Sequence, residues 1–148
     1  MIKTKIIFLI LFLFSFQNID TNQRIIDEVK LKYEEKVIII YQNISGCLKC
    51  MATPMNIIYQ SIKKSKNKKI KLIALVYCRR DIELTLFKRN YNWEDYLLRV
   101  DHNVKDDLGV SESSIISVMN SYGEIILNIE PSSNSNDNIE KLTNILNY

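Results

Sequence analysis

The sequence predicts a single α/β domain in which helices cover both faces of a central mixed sheet. Three observations carry that prediction. Lys36–Asn43 (KVIIIYQN) and Ile70–Tyr77 (IKLIALVY) are short, continuously apolar, β-branched runs; an amphipathic stretch separates them; and a hairpin pattern followed by an amphipathic stretch closes the chain. A run that stays apolar at successive positions suits a strand buried on both faces, as the central strands of parallel sheets are. Two such strands joined through a helix imply a right-handed parallel crossover, and the hairpin adds antiparallel partners. A chain of 148 residues, 47% of them hydrophobic, is enough for one domain around one core.

The N-terminus reads as an address. Lys3 and Lys5 form a positive n-region, and Ile6 to Phe16 is an almost unbroken apolar run, too short to span a bilayer comfortably. Residues 1–20 are therefore a signal peptide or an N-terminal membrane anchor, and residues 21–148 form the domain. Export follows, with the chain periplasmic, secreted or tethered to a membrane and facing outside the cytoplasm. Ser15, Phe16 and Gln17 do not make a small-x-small cleavage site, and no cysteine follows the run to accept a lipid. The formal charge of +3 shrinks to 18 basic against 17 acidic residues without Lys3 and Lys5, which gives nucleic-acid binding no support. The basic segment Lys63 to Lys71 (KKSKNKKIK) reads as a solvated helix end.

Within the domain, Ile25, Ile26, Val29 and Tyr33 recur at helical spacing, which predicts a first helix over Asn22 to Glu35 packed on the sheet edge. The first strand follows at Lys36–Asn43. Ile44-Ser45-Gly46 breaks its pattern, and Cys47-Leu48-Lys49-Cys50 comes next. Met51, Met55, Ile58 and Ile62 then mark one face of a second helix, which Pro54 should bend. After the second strand, Asp81 to Asn90 reads as a weakly amphipathic helix with Ile82 and Leu86 on different sides, Tyr96 to Val100 as a short strand, and Val104 to Leu108 as one helical turn closed by Gly109. Trp93 and Tyr96 are expected to pack on the sheet. Ser114 to Asn120 and Glu124 to Ile129 flank Ser121-Tyr122-Gly123 as a hairpin. Asp137-x-x-Glu140 resembles a capping box opening a last helix with Ile139, Leu142, Ile145 and Leu146 inward.

A C-x-x-C pair at the end of a buried strand and the start of a helix is placed for redox chemistry. Disulfide exchange needs a thiolate, whereas a free cysteine has a pKa of about 8.5. A helix N-terminus stabilises the anion through its unpaired N–H groups and positive dipole end. That spacing makes Cys47 the attacking thiol and Cys50 the resolving one, with Lys49 either a solvated loop residue or a further source of positive charge. Cys78, directly after the second buried strand, reads either as a buried small hydrophobe or as a third thiol on the same edge, since active sites gather at the carboxyl ends of parallel strands. No metal site is expected, because Cys78, His102 and carboxylates are the only further ligands and lack a recognisable spacing. Arg79, Arg80 and Asp81 read as a solvated helix start, and His102 as a loop histidine. Asn43-Ile44-Ser45 matches a glycosylation sequon.

The order helix, β-α-β-α-β, hairpin, helix, with C-x-x-C between the first buried strand and its helix, resembles the thioredoxin-like superfamily. The likeness runs from Lys36 to Asn147. Tyr96-Leu-Leu-Arg-Val-Asp101, Leu108-Gly-Val110 and Ser121-Tyr-Gly-Glu124 look like the second half of exported thiol-disulfide oxidoreductases and of the peroxiredoxin-like branch. The resemblance implies a three-layer α/β/α fold and dithiol exchange with a disulfide-containing protein or a small thiol, with no cofactor. It also places the family's cis-proline at Ser114 or Ile115, neither of which is proline. A thioredoxin-like binding module that has lost the substrate loop is therefore the alternative to an exported thiol-disulfide oxidoreductase. Peroxide reduction is a third reading, for which the surroundings of Cys47 are incomplete.

Overall fold

The fold was taken from a computed structural model, which describes residues 21–44, 59–60, 62–64, 67–109, 114–129 and 136–147. The elements are α1 (Thr21–Val29), β1 (Lys36–Asn43), β2 (Ile70–Tyr77), α2 (Asp81–Tyr91), β3 (Tyr96–Val100), α3 (Val104–Asp107), β4 (Ser114–Asn120), β5 (Ile125–Ile129) and α4 (Asn136–Asn147). Residues 59–60 and 62–64, between β1 and β2, are also helical.

The five strands form one mixed sheet in the order β3-β2-β1-β4-β5. β1 pairs parallel with β2 from Lys36↔Ile70 to Asn43↔Tyr77, and antiparallel with β4 from Lys36↔Asn120 to Gln42↔Ser114. β3 extends the parallel half, and β5 the antiparallel half with an irregularity at Val118/Met119. Both apolar runs are thus central strands.

Alternation along the strands divides the core between the two faces. Ile38, Ile40, Ala74, Val76, Ile116 and Val118 point to one face, where Tyr59, Ile62, Phe87, Tyr91, Leu142 and Leu146 cover them. Val37, Ile39, Tyr41, Ile73, Leu75 and Met119 point to the other, beneath Ile25 and Val29 of α1 and Val104 of α3. Helix layers on both sides of a mixed sheet make the three-layer α/β/α arrangement the sequence predicts. Leu142, Ile145 and Leu146 contribute to the first layer as expected, while the Ile139 side chain lies outside the described residues.

Four expectations need correction. First, α1 stops at Val29 rather than Glu35. Lys30 adopts a left-handed φ of 50°, and the N–H groups of Lys30 and Leu31 return to the carbonyls of Asp27 (3.3 Å) and Ile26 (3.0 Å), a Schellman closure built without glycine. Tyr33 consequently leaves the helical face and is 74% exposed. Second, α1 covers the face of the central strands, not the sheet edge. Third, Tyr96 is 38% exposed at the start of β3, although Trp93 is buried in the core. Fourth, α4 starts at Asn136, so Asp137 lies inside its first turn instead of ahead of it. The hairpin turn follows the sequence reading: Gly123 takes φ 84°, and its N–H donates to the Asn120 carbonyl at 3.1 Å.

Candidate functional site

β1, β2 and β3 all run toward one edge of the sheet, and β4 starts from it. The Ile44 N–H donates to the Tyr77 carbonyl at 3.0 Å, which carries the β1–β2 pairing one step past the strand and sets Ile44 beside Cys78. Ile44 is the last residue described before Cys47. Cys47, Leu48, Lys49 and Cys50 themselves lie outside the described residues, as do Met51, Pro54, Met55 and Ile58 and residues 1–20.

Cys78 is a free thiol, 3% exposed, on the sheet face that carries Ile40 and Val76. Its environment opposes ionisation. Burial pushes the thiol upward first; Arg99 draws it down, while Glu83 and Asp81 push it up again. The Arg99 guanidinium is already committed, donating to Asp81 Oδ1 and to the Arg79 carbonyl at 2.9 Å. At the start of α2, Glu83 Oε2 accepts the N–H groups of Arg79 (2.9 Å) and Arg80 (3.2 Å), and its Oε1 accepts Arg80 Nε and Nη2 at 3.1 and 3.0 Å. These bonds, led by the one from the Arg80 backbone, hold the Glu83 carboxyl below its usual range. The helix end nearest Cys78 is therefore filled by a carboxylate, and its dipole is not free to activate the thiol.

His102 follows β3 on the same edge, exposed, with its ring edge-on to Tyr77 at 5.4 Å between centroids. Asn43 of the sequon is the last residue of β1 and pairs with Tyr77. Ser114 and Ile115 are buried within β4 opposite Gln42 and Tyr41. Residues 110–113, ahead of this strand, lie outside the described residues.

Sequence reasoning passed over Gln42. It is 1% exposed, donates through Nε2 to the Tyr91 hydroxyl at 3.2 Å, and leaves its Oε1 buried without a partner among the described residues. The signal was available: a polar residue inside a run whose flanking positions point to the core. Tyr59, stacked on Trp93 at 4.5 Å, was also missed, because aromatic packing between helices leaves no periodic trace. Among the described residues, no three His, Cys, Asp or Glu side chains are grouped to hold a metal ion.

Comparison with solved structures decides the fold. The chain superposes on the C-terminal domain of a protein assigned as a thiol-disulfide oxidoreductase in Bacteroides thetaiotaomicron, with a TM-score of 0.60 at 13% identity over 77% of this chain and 78% of that one. This is a thioredoxin-like fold. The thioredoxin domain of a thiol-disulfide oxidoreductase from Bacteroides vulgatus matches with a TM-score of 0.56 at 16% identity over 77% and 81%. A thioredoxin-like protein from Aeropyrum pernix matches with 0.55 at 13% over 79% and 81%. No protein-family model matches the sequence, and no curated protein does. Several of these thioredoxin-like neighbours are thiol-disulfide oxidoreductases. Among the described residues no helix is long and apolar enough to cross a membrane.

Proposed function

We propose that this chain is an exported thiol-disulfide oxidoreductase that exchanges disulfides through Cys47 and Cys50. The observation that carries the reading is the end of the central strand β1 at the carboxyl edge, four residues before Cys47 in the sequence, in a fold shared with thiol-disulfide oxidoreductases. In this mechanism the Cys47 thiolate attacks a substrate disulfide; one substrate sulfur leaves as a thiolate and takes a proton from water. Cys50, losing its proton, then attacks the Cys47 sulfur of the mixed disulfide and releases the second substrate sulfur. Two electrons pass from the pair to the substrate, and the reverse sequence oxidises a dithiol. Lys49 favours the Cys47 thiolate by charge, and no organic cofactor is needed. The substrate is a disulfide-containing protein or a small thiol or disulfide. Cys78 stands on the same edge as a third thiol in reserve, kept protonated by its burial.

The absence of proline at Ser114 and Ile115 favours a second reading, a thioredoxin-like binding module without exchange activity. Reduction of insulin disulfides by the wild type and by Cys47→Ser separates the two. Turnover that Cys47→Ser abolishes supports the oxidoreductase; no turnover by the wild type supports the binding module. Residues 1–20 direct export or tether the chain to the membrane.

A further inference from the structure

At the end of the sheet where β1 begins and β4 finishes, two exposed tyrosines meet. Tyr33 and Tyr122 are 74% and 71% exposed, and their rings stand edge to face at 81° with centroids 6.3 Å apart. Each sits in a turn closed by hydrogen bonds. Around Tyr33, the Glu35 N–H donates to the Lys32 carbonyl at 3.0 Å and the Lys32 N–H to Glu35 Oε2 at 2.9 Å, with Glu34 left-handed at φ 65°. Around Tyr122, Asn120 Oδ1 accepts the N–H groups of Tyr122 and Glu124 at 2.9 and 3.0 Å. Asn22 Nδ2 donates to the Gly123 carbonyl at 3.0 Å and ties this hairpin tip to α1. Both rings are thus carried on fixed backbone and left in water, which is the preorganisation a binding surface needs.

Between the two turns lies a cleft of about 170 Å³, lined by both tyrosines and by Glu34, Glu35, Lys36 and Ser121. That is smaller than a pocket for a drug-sized ligand and suits a single ring. The carboxylates are already matched: Glu34 Oε2 accepts Lys69 Nζ at 3.2 Å, and Glu35 Oε1 faces Lys71 Nζ at 3.9 Å. The cleft therefore presents no block of one sign to draw an ion, while its carboxylate oxygens still accept hydrogen bonds. Aromatic faces beside a charge-balanced, acceptor-rich rim fit a neutral ligand with an apolar C–H face and an edge of hydroxyl donors. A sugar ring has both. A proline-rich peptide also stacks on tyrosine, but proline has no N–H to give those acceptors. The geometry points to a saccharide-binding site at this cleft: one ring of a neutral oligosaccharide lays its C–H face on the tyrosines and donates its hydroxyls to the rim. Seven residue steps of β1, about 23 Å of strand, separate the cleft from the carboxyl edge, so the site is independent of Cys47 and Cys50.

The test is saturation-transfer NMR on the full-length chain with cellotriose, maltotriose and the β-1,4 trimer of N-acetylglucosamine as probes, and with a polyproline peptide as the competing class. With at least one trisaccharide, the C–H protons of a ring should receive saturation from the wild type. Tyr33→Ala and Tyr122→Ala should each lower that signal about threefold or more, because each removes a stacking face. Tyr33→Phe and Tyr122→Phe keep the rings and should retain most of it. Both side chains are exposed, so all four variants should fold, with far-UV circular dichroism as the check. No saturation of any of the three sugars by the wild type would overturn the inference. So would a signal that survives when both tyrosines are replaced by alanine, since the sugar would then sit elsewhere. Transfer to the polyproline peptide alone, abolished by Tyr33→Ala, would overturn it in favour of peptide docking.

Discussion

Glu83 shows how one side chain shapes its surroundings at the candidate site. Its carboxylate closes the N-terminus of α2 and keeps that end from acting on Cys78. Hydrogen bonds to the ionised form depress its folded-state pKa below the unfolded value of about 4.3. The stability it confers is therefore present above the unfolded pKa and is lost as pH falls through the lower folded one. Melting curves should show wild type above Glu83→Gln at neutral pH, with the gap closing as pH drops below about 4. The same scale governs thiol reactivity. Cys78 is buried and its thiol pushed up, whereas Cys47 is expected at a helix start beside Lys49. A short substoichiometric iodoacetamide pulse on the reduced native protein, mapped by mass spectrometry, should label Cys47 first, Cys50 less and Cys78 only after unfolding. Early label on Cys78 would contradict its described environment.

At the scale of elements, α2 is the piece whose pattern says least about its packing. Ile82, its most apolar early residue, is exposed, and the inward face is Glu83, Phe87 and Tyr91. Phe87 meets Tyr91 and Trp93 at centroid distances of 4.7 and 5.7 Å, and Tyr59 stacks on Trp93 from the neighbouring helical residues. Removing the Phe87 ring leaves a cavity that this rigid aromatic group cannot close. Phe87→Ala should cost about 3–5 kcal/mol in denaturant unfolding; a loss under about 1 kcal/mol would mean that the cluster does not hold α2 to the sheet. The end of the same helix repeats the closure seen in α1. Asn92 takes φ 48°, and the N–H groups of Asn92 and Trp93 donate to the carbonyls of Arg89 and Lys88 at 3.3 and 2.9 Å. Asparagine makes this stop legible in the sequence, while lysine hides the one at Lys30.

For the whole molecule, the mixed sheet and its two helical layers set one edge apart, where β1, β2 and β3 end and β4 begins. On the proposed reading the chain is exported, because the Lys3, Lys5 and Ile6 to Phe16 pattern is what translocation machinery reads. Fractionation of a tagged full-length chain should recover it outside the cytosol; recovery in the cytosol would reject export. The sequence by itself determined the strands β1, β2 and β3 to the residue, the order of the elements and the hairpin. Each of these rests on local apolar pattern and turn chemistry, which a linear reading contains. The tertiary structure decided where α1 ends and which surface it covers, which residues of α2 face inward, that burial pushes the Cys78 thiol up, and that Gln42 is buried with its Oε1 unpartnered among the described residues. These depend on groups far apart in the chain: Gln42 meets Tyr91, Tyr59 meets Trp93, and Cys78 answers to Arg99. Such pairings leave no periodicity behind, because packing and electrostatics act through space while periodicity records only the local geometry of the chain.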